Sequence, residues 1–158
     1  MGRRSWLLVG LGSLCIVAIA VLAVVAGGAT ASQSLVVTDS TDTELLSTTV
    51  EEESEIVVEY THSVEKTPVR DVYVVEDGAL VNTRMEFSSF GAGLPAQAAV
   101  TVENGRYVYE PPRHRYDPLR VTTGSVADHD LIVDGERYDI AAIADGDTVE
   151  LRLTRTLI

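Results

Sequence analysis

The residues best suited to chemistry are concentrated in one short segment, residues 60–68, which reads YTHSVEKTP. A histidine next to a serine suggests nucleophilic catalysis, with Ser63 attacking an acyl group and His62 accepting its proton. Neighbouring residues of a strand point to opposite faces, however, and a catalytic triad normally assembles from distant parts of a chain. We therefore predict no enzymatic activity, and we expect His62 to be a buried side chain held by a backbone or carboxylate hydrogen bond.

A second segment, residues 87–95, reads FSSFGAGLP and combines two serines with two glycines. Such a segment can present backbone N–H groups to an anion. A phosphate-binding loop also needs a clear helix behind it and usually a lysine, and only the short stretch 96–99 follows here. We expect a tight turn with positive φ at Gly91 or Gly93, and contact with a small ligand or a partner is the functional alternative.

The three histidines of the chain could form a zinc site together with nearby carboxylates. No two of them have the i, i+3 or i, i+4 spacing of a helical ligand pair, and the H-E-x-x-H motif is absent. A carboxylate near each histidine is expected by chance in a chain with 24 acidic residues. We therefore predict no metal and no cofactor. The residues concerned are His62, His114 and His129, with Glu65, Asp128 and Asp130 as the nearby carboxylates.

The charge balance limits the partners, because 24 acidic and 12 basic residues give a formal net charge of −12. So acidic a chain is a poor ligand for phosphate backbones, which excludes nucleic acid. Lys66 is the only lysine. A dense acidic surface without lysine predicts a halophilic protein that works in molar salt, and an ordinary acidic secreted domain is the alternative. The one local basic cluster past residue 31, Arg113-His114-Arg115, could contact a carboxylate ligand or an acidic partner.

The first element that must position these residues is an apolar run near the N-terminus. Residues 6–26 are 21 consecutive residues without a charge, and about 20 apolar residues span a bilayer as a helix. Arg3 and Arg4 precede the run, and positively charged flanks stay on the cytoplasmic side. We predict that residues 1–31 form a membrane anchor or signal segment with its N-terminus inside, and that residues 32–158 form an extracytoplasmic domain.

The processing of this N-terminal segment has two possible outcomes. Ala29-Thr30-Ala31 fits a signal-peptidase site, and cleavage after Ala31 would release a secreted domain. The apolar part of a signal peptide is usually about 7–15 residues long, so the longer run favours an uncleaved, single-pass anchor in the cell membrane. The Arg3-Arg4 pair also resembles a twin-arginine export signal. Cys15 lies inside the apolar run and, as the single cysteine, cannot form an internal disulfide.

Beyond residue 31 the dominant pattern is a period of two, which is typical of strands with one buried face. It is clearest in Ile56, Val58 and Tyr60. The fold class that we predict is all-β, either an antiparallel β-sandwich or a barrel-like domain. Further strands are predicted over 34–38, 44–50, 119–123 and 129–133, and the same alternation covers residues 148–154. Tight turns with positive φ are predicted at Asp77-Gly78, Asn104-Gly105, Asp134-Gly135 and Asp145-Gly146.

Two of these turns fix a hairpin register that the pairing chemistry supports. A two-residue loop at Asn104-Gly105 brings opposite charges together at the turn and aromatic residues opposite β-branched ones. The hairpin at Asp77-Gly78 brings the segments 60–68 and 87–95 together. The predicted pairs are Glu103–Arg106, Val102–Tyr107 and Val100–Tyr109 in the first hairpin, and Val75–Leu80, Val74–Val81 and Asp71–Arg84 in the second.

The sequence HSVEKTPVRDVY at 62–73, followed by SSFGAGLP at 88–95, resembles the domain-of-unknown-function family 1850. This family comprises small secreted or anchored proteins that are often encoded beside TRAP-type transporters of the TAXI subgroup. Ala127-Asp128-His129 resembles a later Ala-Asn-His stretch of the family, with Asp in place of Asn, and Asp71 stands where the family commonly has Glu. The remaining matching residues are His62, Ser63, Val64 and Glu65 in the first motif and Ser89, Gly91, Ala92, Gly93 and Pro95 in the second.

The resemblance implies a non-enzymatic accessory to a TRAP-type uptake system, with the membrane and a TRAP permease or solute receptor as partners. Two alternatives remain open, namely a stand-alone domain that binds a carboxylate near Arg113 and Arg115 and a serine hydrolase that uses Ser63 or Ser89. The expected ligand- or partner-binding residues are His62, Ser63, Glu65, Asp71, Ser89, Gly91, Gly93, Pro95 and His129.

Overall fold

The computed structural model describes residues 32–90, 99–124 and 126–156. The predicted anchor or signal segment, residues 1–31, lies outside the described residues. The same holds for three candidate site residues of the second motif, namely Gly91, Gly93 and Pro95. Within the described residues, no helix is both long enough and apolar enough to cross a membrane.

The described residues form two antiparallel sheets and one short helix. The smaller sheet has the strand order β2-β1-β12-β9, and the larger one the order β11-β10-β3-β4-β5-β7-β6, with β8 paired to β5. In chain order the elements are β1 (Ser32–Thr38), β2 (Glu44–Val50), β3 (Glu55–Thr61), β4 (Pro68–Glu76), β5 (Ala79–Phe87), β6 (Val100–Glu103), β7 (Arg106–Tyr109), β8 (Arg115–Tyr116), β9 (Leu119–Thr122), β10 (Asp130–Val133), β11 (Glu136–Asp139), α1 (Ile140–Ile143) and β12 (Thr148–Thr156).

This architecture confirms the predicted all-β, antiparallel fold class. The barrel alternative is wrong, because each sheet ends in edge strands instead of closing on itself. The predicted strands at 34–38, 44–50, 119–123 and 129–133 correspond to β1, β2, β9 and β10 within two residues at each end. β1 pairs with β12 along its whole length, from Ser32 opposite Thr156 to Thr38 opposite Glu150, so the two ends of the described domain meet.

Apolar side chains from both sheets share one buried core. Leu35 of β1 and Leu151 of β12 are completely buried in it, as are Ile56 of β3, Leu80 of β5 and Leu131 of β10. We call the face of the larger sheet that contributes to this core its inner face. A separate cluster of Val69 and Phe87, with partly buried Tyr60, Met85, Val100, Tyr107 and Tyr109 against it, lies farther along the larger sheet.

The predicted turn dipeptides all have the expected backbone. Both residues of each dipeptide have positive φ, for example 50° at Asn104 and 79° at Gly105. A two-residue hairpin loop needs this conformation to match the twist of the strands that it joins. Three of the dipeptides close hairpins, and Asp145-Gly146 instead joins α1 to β12.

The register of the β6–β7 hairpin is confirmed in all three predicted pairs. In the β4–β5 hairpin, Val75–Leu80 and Val74–Val81 are confirmed, but the pair Asp71–Arg84 is wrong. Asp71 is opposite Met85 instead, and Arg84 is opposite Val72. A shift in register between Val72 and Tyr73 separates the correct pairs from the wrong one.

A β-bulge at Thr83 causes this shift, because Tyr73 pairs with Asn82, Val72 pairs with Arg84, and Thr83 has no partner between them. A bulge disrupts the hydrogen-bond ladder and leaves backbone groups in need of other partners. Here the Val72 carbonyl accepts hydrogen bonds from the Thr83 hydroxyl at 3.2 Å and from the Asn82 amide at 3.3 Å. The side chains of the bulge therefore stabilise the bulge itself.

The bulge also reverses the face of the sheet to which each later side chain of β5 points. Without the extra residue, Arg84 and Glu86 would continue on the face of Leu80. With it, Met85 and Phe87 point to the inner face, and Arg84 and Glu86 point to the opposite, outer face. The two charged residues are thereby kept out of the apolar side of the sheet.

Replacement of Thr83 by Val tests this account. The change keeps the β-branched shape and removes the hydroxyl that donates to the Val72 carbonyl. We expect the free energy of unfolding to fall by about 1 kcal/mol, since a buried acceptor loses one of its two donors. Urea denaturation followed by far-UV circular dichroism measures this quantity. Thr49→Val, at an exposed position of β2, is the control and should change it by less than about 0.5 kcal/mol. Equal losses in both variants would contradict the account.

Candidate functional site

The first motif forms the loop between β3 and β4, residues 62–67. The loop is closed by two backbone hydrogen bonds, from His62 N–H to the Thr67 carbonyl and from Lys66 N–H to the His62 carbonyl, both at 2.9 Å. Lys66 has φ of 55°, which lets the chain reverse within so few residues. The loop is therefore short and internally bonded.

His62 is the internal support of this loop, with a relative exposure of only 8%. Its Nδ1 accepts hydrogen bonds from the backbone N–H groups of Val64 at 3.3 Å and Glu65 at 3.1 Å. A ring nitrogen that accepts cannot carry the proton, so the neutral imidazole is protonated at Nε2. The expectation of a buried histidine held by backbone hydrogen bonds agrees with this geometry.

The same geometry does not favour the serine-nucleophile interpretation of Ser63. The Nδ1 atom of His62 is already used by two amide groups, and so it is not available as a base. Ser63 and Glu65 are exposed on the outside of the loop. The loop therefore offers side chains for contact with another molecule more readily than for proton transfer to each other.

The described part of the second motif lies directly against the first. The Ser89 hydroxyl is 3.1 Å from the hydroxyl of Thr67, close enough for a hydrogen bond in either direction. The pairing of Val69 with Phe87 brings these residues together, because it places the end of β5 beside the start of β4. Phe90 follows with its ring 4.4 Å from that of Tyr107. The hairpin thus joins the two motifs, as the sequence suggested.

The third motif reaches the same end of the sheet from a distant part of the chain. The Ala127 carbonyl accepts a hydrogen bond of 2.7 Å from Thr61 N–H, the last residue of β3. The His129 ring stacks on Tyr60 with centroids 5.3 Å apart. Burial lowers the pKa of His129, with a partial opposing effect of Asp128, and this favours the neutral imidazole. Among the described residues, its buried Nδ1 has no hydrogen-bond partner.

We call the three segments together the motif surface, defined as residues 62–67, 88–90 and 126–129. Each contains one large apolar side chain that is exposed to solvent. Val64 is 68% exposed, Phe90 40% and Val126 67%. Large exposed apolar patches with a polar rim are typical of sites that contact another molecule.

Asp71 lies behind the motif surface, on the inner face of β4. Its cross-strand neighbours are Val58 and Met85, both apolar, and Tyr60 and Tyr73 lie nearby on the same face. Burial raises the pKa of the Asp71 carboxyl to about 6. Burial, together with the Asp71 charge, also raises the pKa of Tyr60 to about 12 and that of Tyr73 farther still. In the described part of the chain, no hydrogen bond or ion pair compensates the Asp71 carboxylate.

The basic cluster at Arg113-His114-Arg115 has partners of its own. Both arginines contact the Glu76 carboxylate, and Arg115 also donates to the Glu76 carbonyl at 3.0 Å. The His114 carbonyl accepts a hydrogen bond from Asn82 N–H at 3.0 Å, beside the bulge. In this structure the cluster supports the β4–β5 hairpin.

Several features of the site could not be read from the sequence. The aromatic environment of Asp71 and the stack of Tyr60 on His129 depend on pairings between distant strands. The charged outer face of β4, β5 and β7, which contains Arg70, Arg84 and Arg106, depends on the bulge. In the part of the chain that the structure describes, no group of three or more His, Cys, Asp or Glu side chains could hold a metal ion.

Fold and site together define a small all-β domain whose sequence motifs meet in loops at one end of the larger sheet. The family model described as "Domain of unknown function (DUF1850)" matches residues 56–140, more than half of the chain. The protein belongs to this family. The matched segment begins in β3 and includes all three segments of the motif surface as well as Asp71. No curated protein and no solved structure matches the chain.

A test of His62 compares two replacements. His62→Leu leaves the amides of Val64 and Glu65 without their acceptor, whereas His62→Asn keeps an oxygen near the position of Nδ1. We expect Leu to lower the free energy of unfolding by about 1–3 kcal/mol and Asn to lower it by less than half as much. Urea denaturation provides both values. Equal losses would show that packing, and not the acceptor, gives His62 its role.

A test of Asp71 uses pH. Its folded pKa of about 6 lies above the ordinary value of 3.8, so the protonated carboxyl favours the folded state and this stability is lost as pH rises through 6. Asp71→Asn removes that loss. Urea denaturation at pH 5 and at pH 8 gives the free energy of unfolding of the variant and of the native protein. We expect the difference, variant minus native, to be about 1 kcal/mol larger at pH 8 than at pH 5.

The control for this comparison is Asp145→Asn, at an exposed turn residue with φ of 52°, a conformation that Asn also tolerates. Its difference from the native protein should be the same at both pH values. A difference for Asp71→Asn that does not depend on pH would contradict the burial of an uncompensated carboxyl.

Proposed function

We propose that this protein is a non-enzymatic accessory domain that uses the motif surface to bind the permease or the solute receptor of a TRAP-type uptake system of the TAXI subgroup. The convergence of three separate motifs carries the proposal. Segments 62–67, 88–90 and 126–129 are joined to one another, or to the strand between them, by hydrogen bonds of 2.7–3.1 Å. A surface assembled from distant parts of the chain is more specific than any single loop.

The exposed side chains favour protein contact over catalysis. The described residues with large apolar side chains exposed to solvent are Val64, Phe90, Val102, Val126 and Ile143, and three of these lie on the motif surface. Burial of such side chains against a partner is favourable by roughly 25 cal/mol per Å² of apolar area. The polar residues around them, Ser63 and Glu65 among others, supply the rim that interfaces commonly have.

In this proposal residues 1–31 anchor the domain in the cell membrane, with residues 32–158 on the extracytoplasmic side. The anchor keeps the domain close to a permease, which raises the effective concentration of one for the other. The acidic composition, with Lys66 as the only lysine, suits a protein that works in molar salt. Hydrophobic contact is strengthened, not screened, under such conditions, which is consistent with an apolar contact surface.

Co-purification tests the proposal with matched variants. The full-length protein, tagged at its C-terminus, is recovered from membranes solubilised in molar salt, and the accompanying proteins are identified by mass spectrometry. We expect a TRAP permease or solute receptor with the native protein, and a reduction of at least tenfold with Val64→Asp or Phe90→Asp. Val102→Asp is the control, since Val102 on β6 is also 68% exposed but lies outside the motif surface.

Far-UV circular dichroism of each variant confirms that the fold is kept. Loss of the partner with Val102→Asp to the same extent would show non-specific apolar association. Recovery of the protein alone, well folded and at full length, would overturn the proposal of a transport partner.

A further inference from the structure

Strand β6 forms an open edge of the larger sheet, because among the described strands it pairs with β7 alone. In a hairpin with a two-residue loop, the residues that flank the loop exchange two hydrogen bonds, and bonded and non-bonded pairs alternate from there. Glu103 and Thr101 therefore bond to β7. The backbone N–H and C=O groups of Val100 and Val102 point away from the sheet, and no described residue bonds to them.

This edge lacks the features with which natural sheets usually prevent pairing with another chain, namely proline, lysine, a β-bulge or an inward-pointing charge. The strands at the other ends of the two described sheets each have such a feature. β11 has charged side chains at three of its four positions, β9 directly follows Pro118, and β2 has an extra residue, Leu45, against β1. β6 has no proline, no lysine and no shift in register, and its one charge, Glu103, is on the outer face.

The side chains of β6 are apolar on the inner face. Val100 and Val102 lie directly opposite Tyr109 and Tyr107, which places both valines on that face. Val100 is partly buried against the cluster around Phe87, whereas Val102 is 68% exposed. The cluster thus ends at a strand whose last apolar side chain is in solvent.

We propose that β6 pairs with β6 of a second copy of this chain, in the antiparallel direction, to form a symmetric dimer. All four free backbone groups are used in the register that places Thr101 opposite Thr101 of the second copy. Val100 then lies opposite Val102 of the second copy, and Val102 opposite its Val100. Each of these two pairs exchanges two hydrogen bonds. The two-fold axis passes between the threonines, so the same strand supplies both halves of the interface.

The side chains suit this register. The four valines of the two strands meet on the inner face, where cross-strand contacts between β-branched residues stabilise a sheet. On the outer face Glu103 lies opposite Ala99 of the second copy, so no two carboxylates face each other. The two Glu103 residues are separated by about four positions, or about 14 Å along the strand. This separation exceeds the Debye length of about 8 Å at physiological ionic strength.

The charge of the whole chain gives the dimer a dependence on salt. A net charge of −12 on each copy opposes association, and salt screens this repulsion. Salt also strengthens the contact among the valines. We therefore expect tighter dimerisation at higher salt. The dimer does not depend on the function proposed for the motif surface, since β6 lies outside that surface.

Sedimentation equilibrium of the full-length protein in a non-ionic detergent tests the proposal. We expect a dimer whose dissociation constant falls at least threefold when sodium chloride is raised from about 0.15 M to about 1 M. Val102→Asp introduces a charge among the four valines and should raise the dissociation constant at least tenfold. Val126→Asp is the matched control, because Val126 is 67% exposed but lies in a loop away from this edge. It should change the dissociation constant less than twofold.

Cysteine cross-linking tests the register itself, in a Cys15→Ala background that removes the single native cysteine. Opposite residues of a non-hydrogen-bonded pair have Cα atoms about 4.5 Å apart, within the range of about 4.4–6.8 Å that a disulfide spans. Thr101→Cys should therefore give a disulfide-linked dimer under mild oxidation, seen on a non-reducing gel. Glu103→Cys, at an exposed position on the same face, is the control and should be cross-linked at least tenfold less.

Three results would contradict the proposal. A native protein that stays monomeric at every salt concentration would overturn it, and so would equal weakening of the dimer by Val102→Asp and Val126→Asp. Cross-linking through Glu103→Cys as readily as through Thr101→Cys would overturn the register.

Discussion

The register of β4 against β5 is the constraint on which the rest of the larger sheet depends, and one extra residue sets it. Thr83 has no partner across the ladder, so the alternation of side chains in β5 reverses at that point. Met85 and Phe87 then join the apolar side, and Arg84 and Glu86 join the solvent side. The cost of the interruption is limited, because the freed carbonyl of Val72 receives two side-chain hydrogen bonds.

The separation of Asp71 from Arg84 follows directly from this arrangement. The two residues would face each other in a regular hairpin, and each would compensate the charge of the other. In the folded protein Asp71 is instead among apolar and aromatic side chains, where burial holds its pKa near 6. Arg84 joins Arg70 and Arg106 around Glu86 on the other face. One irregularity thus produces both an uncompensated carboxyl on one face and a cluster of three arginines around Glu86 on the other.

The sequence alone was sufficient to predict the parts of the fold that are determined by residues close to each other in the chain. The Asn104-Gly105 hairpin and the first pairs of the Asp77-Gly78 hairpin follow from turn chemistry and a period of two. The meeting of Thr67 with Ser89 follows from the same hairpin. The bulge could not be predicted in this way, since no residue type in β5 indicates that one residue lacks a cross-strand partner. The stack of Tyr60 on His129 depends on the pairing of β3 with β10, more than 60 residues away, for which the sequence holds no local signal.

The pairing of β1 with β12 has a consequence for how this domain can be combined with others. Ser32 and Thr156 are directly opposite each other, so the chain enters and leaves the domain at one point. A domain with adjacent ends can be inserted into a surface loop of another protein with little distortion of either, or can be reopened at a distant turn after its ends are joined. Such a domain can be transferred from one protein to another as a single unit. Its two ends lie on the smaller sheet, whereas the motif surface lies at the end of the larger one.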